Sequence, residues 1–318
     1  MGQSVLQASP SLMTEMKQYY IKESESSLPP GSLFRAKRAA CTITAYKSGK
    51  VLFQGKDAEG EASKWLNKAQ PAAPKKSTSS HTKSKSVEAH SFLPPSNIKD
   101  LNIIGSDEVG TGDFFGPMTV AACLVSKDQM ASLQKLGVKD SKNLTDDQIS
   151  AIANELINEV EYCLLTLPNE KYNELRAKGI TQIGLKALLH QQAQLKCREK
   201  IKATPLDGYL VDQFTTPDLY FKSLGSRRRQ LDHPIFFKTK GESVHLSVAA
   251  ASIIARDAFV REMDRLSEWC GMVLPKGAGA HVDVAAAKLI KQKGYDFLNS
   301  VAKLHFSNTE RAKDLAKK

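Results

Sequence analysis

Two adjacent carboxylates, Asp107 and Glu108, follow the apolar run Leu101–Ile104 and lead into Gly110-Thr111-Gly112. Carboxylates are rarely buried unless paired or metal-bound. Glycines at alternate positions let a ligand approach the backbone closely. Taken alone, such a pair also fits a solvated turn. Two further acids sit at the ends of structured segments: Asp212 closes the short apolar run Gly208–Asp212, and Glu242 stands in Lys240-Gly241-Glu242-Ser243, just ahead of a long helical stretch. If the strands bearing Asp107 and Asp212 are neighbours, both carboxylates reach one edge of the sheet and Glu242 can complete the cluster. Four carboxylates without a counterion would repel and raise one another's pKa values. Hard divalent cations relieve that repulsion, and an all-oxygen donor set favours Mg²⁺ or Mn²⁺. Two such ions roughly 3.5–4 Å apart can activate water and stabilise the leaving oxygen of a phosphodiester displacement.

The elements that must position these acids are legible in outline. Strands near 101–107 and 117–125 form a hairpin, with Ile103, Gly105 and Asp107 on one face and Glu108 on the other. Thr145-Asp-Asp-Gln148 is a capping box opening a helix to about Val160. A strand at 161–167, helices at 169–178 and about 183–202, the strand 208–212 and a helix at 246–269 follow. The small-residue run Val248-Ala-Ala-Ala-Ser252 lets that last helix lie close against a sheet. This order predicts an α/β fold with a mixed sheet flanked by helices. Upstream, a helix at 12–26, three strands near 33–39, 41–46 and 50–54, and a helix at 58–69 anchored by Trp65 and Leu66 predict a small α+β unit. Residues 70–97 are Pro, Ser, Thr and Lys with little to bury, which reads as a flexible linker. The expected division is therefore 1–69, a small basic domain; 70–97, a tether; and 98–318, the larger domain with C-terminal helices.

The net charge of +11 is uneven: residues 1–97 hold 14 basic against 7 acidic side chains, and 98–318 hold 31 against 27. A basic surplus in a small segment points to a polyanionic partner, nucleic acid or an anionic surface. No window approaches the ~18 apolar residues of a membrane-spanning helix, and no apolar signal segment opens the chain. The expectation is a cytoplasmic protein with no membrane partner. Five scattered cysteines without a Cys-x-x-Cys pair fit a reducing compartment and argue against disulfides or structural zinc. Nothing indicates an obligate oligomer, so a monomer is expected.

Five motifs occur in order: Asp107-Glu-Val-Gly-Thr-Gly-Asp-Phe-Phe-Gly-Pro117, Lys139-Asp-Ser-Lys142, Val211-Asp-Gln-Phe214, Glu242 ahead of Ser247–Arg256, and Leu274-Pro-Lys-Gly-Ala-Gly279. Together they resemble the type 2 ribonuclease H family, and within it the bacterial ribonuclease HIII group, from about residue 100 to the C-terminus. The N-terminal unit, with Val51-Leu-Phe-Gln-Gly-Lys56 and Ala62-Ser-Lys-Trp65, resembles that group's extra domain. The resemblance implies a ribonuclease H-like catalytic fold preceded by a TATA-binding-protein-like domain that helps grip the substrate. Its curved sheet face, with Arg35, Lys37 and Lys47, is the expected contact surface. The implied activity is endonucleolytic cutting of the RNA strand of an RNA–DNA hybrid duplex, leaving 5′-phosphate and 3′-hydroxyl ends. The family's four metal-binding catalytic acids map onto Asp107, Glu108, Asp212 and Glu242; its related ribonuclease HII branch usually has Asp at the fourth place. Its glycine loop maps onto Gly110, Thr111 and Gly112, where backbone groups read the ribose 2′-hydroxyls that distinguish RNA from DNA. The HII branch is basic at the central position. Thr111 is not, so cutting within RNA runs is expected, with poor action at a single embedded ribonucleotide.

Ser141, Lys142 and Asn143 are candidates for holding the substrate backbone, against an ordinary turn ahead of a helix. Lys276 reads equally as a phosphate contact or a surface turn. Arg227-Arg-Arg229 fits a solvated charge run better than a dedicated site. His245 reads as helix-end packing rather than a proton shuttle, and Phe114 and Phe115 as anchors rather than base-stacking platforms. Two rival readings remain at this level: a non-catalytic hybrid-binding protein on the same fold, and a ribonuclease H-like nuclease acting on DNA. All four acids being present disfavours the first; the glycine loop and basic module disfavour the second.

Overall fold

The computed structural model describes residues 2–25, 28–29, 31–38, 40–46, 48–55, 57–66, 90–138, 144–201 and 204–317. The chain separates into two compact units, Met1–Lys83 and Ser84–Lys318.

In the first unit, β1 (Gly2–Gln7), α1 (Pro10–Tyr19), β2 (Ser32–Arg38), β3 (Cys41–Tyr46), β4 (Lys50–Gly55) and α2 (Ala58–Leu66) form an antiparallel sheet in the order β1-β4-β3-β2 with two helices. Apolar residues at alternate strand positions, among them Phe34, Ile43, Val51 and Phe53, join Leu12, Met16 and Trp65 in one buried core. Trp65 is the expected anchor: its indole N–H donates to Tyr20 Oη at 2.8 Å, and that hydroxyl donates to Glu61 at 2.9 Å. The helix expected over 12–26 is shorter. It starts at Pro10, capped by Ser9, whose Oγ accepts the Leu12 N–H, and ends before a 3₁₀ turn at Ile21–Glu23. Strand β1 was not expected, because Gln3-Ser-Val-Leu-Gln7 offers too few apolar residues to show alternation; it forms by edge pairing with β4.

The second unit contains β5 (Ile103–Val109), β6 (Met118–Val125), α3 (Met130–Lys135), α4 (Asp146–Glu159), β7 (Tyr162–Leu167), α5 (Asn169–Ala177), α6 (Gln182–Lys200), β8 (Gly208–Asp212), α7 (Pro217–Leu224), β9 (Ile235–Lys238), α8 (Leu246–Cys270), α9 (Ala280–Lys293), α10 (Leu298–Val301) and α11 (Asn308–Ala316). The mixed sheet runs β7-β6-β5-β8-β9, antiparallel on the β6 side of β5 and parallel on the β8 side. This is the α/β arrangement expected, with helices on both faces. Helix α8 lies close to β5 because β5 carries Gly105: a Cβ there would stand 2.3 Å from Ser247 Oγ and 2.5 Å from the Val248 nitrogen. Ala249, Ala250 and Ala251 continue the close seam, with α4 packed outside it. Helix α6 covers the opposite face through Leu185, Ala193 and Cys197. Strand β9 is short and at the sheet edge, and had no clear sequence signal.

Of the stretch expected as a tether, residues 70–89 lie outside the described residues, and residues 90–97 belong to the second unit. They pack on the rest of it: the Phe237 N–H donates to the Phe92 carbonyl at 2.9 Å, and the Phe92 ring lies 5.3 Å from that of Phe221. Phe92 supplies the anchor that the surrounding polar composition conceals. All five cysteines are buried free thiols. Among the described residues no helix is long and apolar enough to cross a membrane.

Candidate active site

The parallel register sets Ser106 beside Val211, which places Asp107 and Asp212 next along two adjacent strands. Asp107 is buried and Asp212 half-buried. Burial pushes the Asp107 carboxyl well above the ordinary aspartate range, and the charges of Asp212 and then Glu108 push it further; hydrogen bonds from Ser252 and the Glu108 N–H act the other way. The sheet edge therefore carries the two converging carboxylates that the strand pattern anticipates.

Glu108 occupies the other face of β5. Its carboxylate pairs with Lys186 on α6, and His190 donates to it from Nε2 at 2.8 Å. Burial alone would raise the Glu108 pKa, but the His190 hydrogen bond and the Lys186 charge outweigh it and hold it low. Behind these lies a chain of hydrogen bonds: in a neutral imidazole, His190 Nδ1 accepts from the Ser106 hydroxyl at 2.8 Å, and Gln194 donates to that hydroxyl at 3.0 Å. At the start of α6, Gln182 Nε2 donates to the Thr111 carbonyl at 2.8 Å. Gln182, Lys186, His190 and Gln194 follow one another at intervals of four, one face of a helix. None was singled out from the sequence. The i, i+4 polar row was the available signal, but a polar row on a helix ordinarily marks a solvated face.

Glu242 is buried in a 3₁₀ turn, Gly241–Ser243, whose Gly241 N–H donates to Asp212 Oδ1 at 2.9 Å. Its side chain lines a hollow of about 200 Å³ with Lys99, Gln134 and His245. Among the described residues no three acidic, histidine or cysteine groups stand close enough to hold one metal ion. The structure thus brings Asp107 and Asp212 together, holds Glu108 across the strand against α6, and ties the turn bearing Glu242 to Asp212. The donor set nevertheless suits a hard cation: it is all oxygen, and the Asp107–Asp212 repulsion is what a divalent ion would relieve.

Gly110 adopts φ +89°, and a Cβ there would stand 2.3 Å from the Pro117 carbonyl oxygen. Packing therefore demands glycine at 110. Gly112 differs: it is exposed, and a Cβ would meet nothing within 4 Å. Thr111 is half-buried between them. Ser141, Lys142 and Asn143, like Lys47, lie outside the described residues. Lys276 is paired with Asp146 at 2.5 Å, beside Arg256. His245 caps α8, accepting the Ser247 N–H at 3.2 Å, and burial lowers its pKa to about 4, so the ring is neutral. Phe114 and Phe115 are fully buried anchors. Arg227, Arg228 and Arg229 form an exposed run.

Residues 104–309 match the family model described as Ribonuclease HII, and residues 3–79 match one described as a domain of unknown function, DUF3378. A Ribonuclease HIII of Bacillus mycoides (strain KBAB4) is 52% identical over 99% of this chain and 98% of its own length. The crystal structure of Bst-RNase HIII in complex with Mn²⁺ is similar at TM-score 0.67 and 42% identity, covering 99% of each chain. Aquifex aeolicus RNase H3 shares the fold at TM-score 0.53 and 20% identity, covering 96% of this chain and all of its own. With near-complete coverage by such relatives and the acids at the sheet edge of that fold, this chain belongs to the ribonuclease HIII family and is a ribonuclease H, a hydrolytic endonuclease.

Proposed function

We propose that the protein cuts the RNA strand of RNA–DNA hybrids at internal positions, leaving 5′-phosphate and 3′-hydroxyl ends, with Asp107, Glu108, Asp212 and Glu242 as metal-binding catalytic residues. The observation that carries this reading is the meeting of Asp107 and Asp212 at the edge of the sheet, on a strand that leads into an exposed glycine, Gly112, that packing does not require. Two Mg²⁺ or Mn²⁺ ions bound there would supply a nucleophilic hydroxide and charge stabilisation of the leaving oxygen. The Mn²⁺ complex of Bst-RNase HIII supports that choice of ion. Asp107 and Asp212 would hold the ions. Lys186 and His190 keep Glu108 ionised and oriented, and the Gly241 N–H orients Asp212. Gly112 leaves room for a ribose, so that backbone groups of the 110–112 loop meet its 2′-hydroxyl. Ser141, Lys142 and Asn143 hold the substrate backbone.

In this reading residues 1–69 form the substrate-gripping domain, joined by a tether to the catalytic domain, and their basic surplus gives sequence-independent, salt-sensitive attraction to phosphate. Tethering raises the effective concentration of the catalytic unit on its substrate. The enzyme acts as a monomer in the cytoplasm, a compartment consistent with five free thiols.

The test uses three end-labelled duplexes: continuous RNA on DNA, a single ribonucleotide within DNA, and DNA alone. Cutting of the first only, dependent on Mg²⁺ or Mn²⁺ and leaving ligatable 3′-hydroxyl ends, is the expected result. Efficient cutting at the single ribonucleotide would defeat the argument from Thr111. Cutting of DNA alone, or hybrid binding without cutting, would defeat the proposal.

A further inference from the structure

Lys303 is fully buried. It follows α10, and its ammonium donates to the Asp113 carbonyl at 2.9 Å and the Gly116 carbonyl at 2.5 Å. Its own N–H donates to the Phe114 carbonyl at 2.8 Å, the Gly116 N–H donates to the Val301 carbonyl at 2.9 Å, and Phe115 forms a β-bridge with Ala302. Asn169 Nδ2 adds a second donor to the Gly116 carbonyl at 2.8 Å. From another side, the Gly277 N–H donates to Asp113 Oδ1 at 2.6 Å and the Phe114 N–H donates to the Gly277 carbonyl at 2.9 Å. The four residues directly after Gly112 are thus fixed by three distant segments, while Gly112 itself faces open space.

A buried ammonium is costly, and an apolar side chain would fill the same volume more cheaply. What an apolar side chain could not do is bind two loop carbonyls. Burial presses the Lys303 pKa down to about 7, against the pull of the Asp113 carboxylate. Such an ammonium is kept in place by its acceptors, not by solvent. We propose that Lys303 is a positioning residue for substrate recognition: by holding the Asp113 and Gly116 carbonyls it fixes the Gly110–Thr111–Gly112 loop in the conformation that distinguishes an RNA–DNA hybrid from a DNA duplex. This rests on reading that loop as the ribose contact.

The experiment compares the full-length wild type with Lys303→Gln and Lys303→Arg. Steady-state cleavage of a continuous hybrid gives kcat and KM. Fluorescence anisotropy in an Asp107→Asn background gives Kd for hybrid and for DNA duplex. Lys303→Gln is expected to raise hybrid KM and Kd about tenfold, to leave kcat within about threefold, and to leave the DNA-duplex Kd unchanged, since loosening the loop costs alignment and not charge attraction. Lys303→Arg, which keeps a charged donor, recovers part of the loss. A folded Lys303→Gln with unaltered KM and selectivity overturns the proposal. So does a fall confined to kcat and thermal stability, the pattern of a purely structural lysine. Asn169→Ala removes only the second donor to Gly116 and covers the case in which Lys303→Gln does not fold. It should shift selectivity the same way by less, and unchanged selectivity there overturns the proposal too. A wild type that binds hybrid and DNA equally would sink the loop reading, and Lys303's role with it.

Discussion

At Asp107 burial and neighbouring charge act in the same direction. It is buried beside Asp212, and both effects favour its protonated form. Folding raises its pKa, so the folded chain binds that proton more tightly than the unfolded chain. Stability from this group is therefore full at low pH and lost as pH rises through the folded pKa. Asp107→Asn mimics the protonated state. In metal-free buffer at pH 8 it should melt a few degrees above wild type, the gap closing as pH falls below the folded pKa; scanning calorimetry against pH measures this. Added Mn²⁺ should stabilise wild type more than the variant. Glu108 poses the opposite problem, since its charge is sustained by Lys186 and His190. Lys186→Met should weaken metal binding roughly 10–100-fold, the usual cost of removing a partner behind a ligand. Isothermal titration with Mn²⁺ is the measurement, and an unchanged affinity would mean that Lys186 does not hold Glu108 for metal.

Among elements, the fit of α8 against β5 decides where the acids stand. Gly105→Ala sets a methyl group 2.3 Å from Ser247 Oγ and 2.5 Å from the Val248 backbone, so helix and strand must part. The expected cost is roughly 1–3 kcal/mol by urea denaturation, the usual range for overpacking, with activity falling alongside. This seam was legible in the sequence, because Val248–Ser252 is a run of small residues on a helix and Asp107, Gly105 and Ile103 alternate on a strand. The capping box at Thr145 was legible too, and both halves of it are formed. The α6 row was not. Lys186 and His190 lie about 80 residues from Glu108, and only the tertiary fold joins them. The Lys303 contacts were hidden in the same way, since a lysine ordinarily signals surface. Edge strands β1 and β9 escaped because short, weakly patterned segments take their structure from a neighbour.

At the scale of the whole chain, residues 1–97 carry 14 basic against 7 acidic side chains, and the first unit has a core of its own. Removing residues 1–83 should therefore raise KM for the hybrid about tenfold or more, leave kcat within about threefold, and flatten the dependence of log KM on log salt. A truncated chain with unchanged salt dependence would deny the first unit its role in binding. The presence of two units could be read from composition, since residues 70–97 hold little to bury; the ordering of residues 90–97 could not, since Phe92 alone gives no periodicity. The most direct test of the account is cleavage of a continuous RNA–DNA hybrid with Mn²⁺ by Asp107→Asn, Glu108→Gln, Asp212→Asn and Glu242→Gln, alongside hybrid binding by each. The expected result is a rate loss of roughly 100-fold or more in each variant with binding retained, as for groups that hold a catalytic metal. Near-normal cleavage by Asp107→Asn or Asp212→Asn would contradict it.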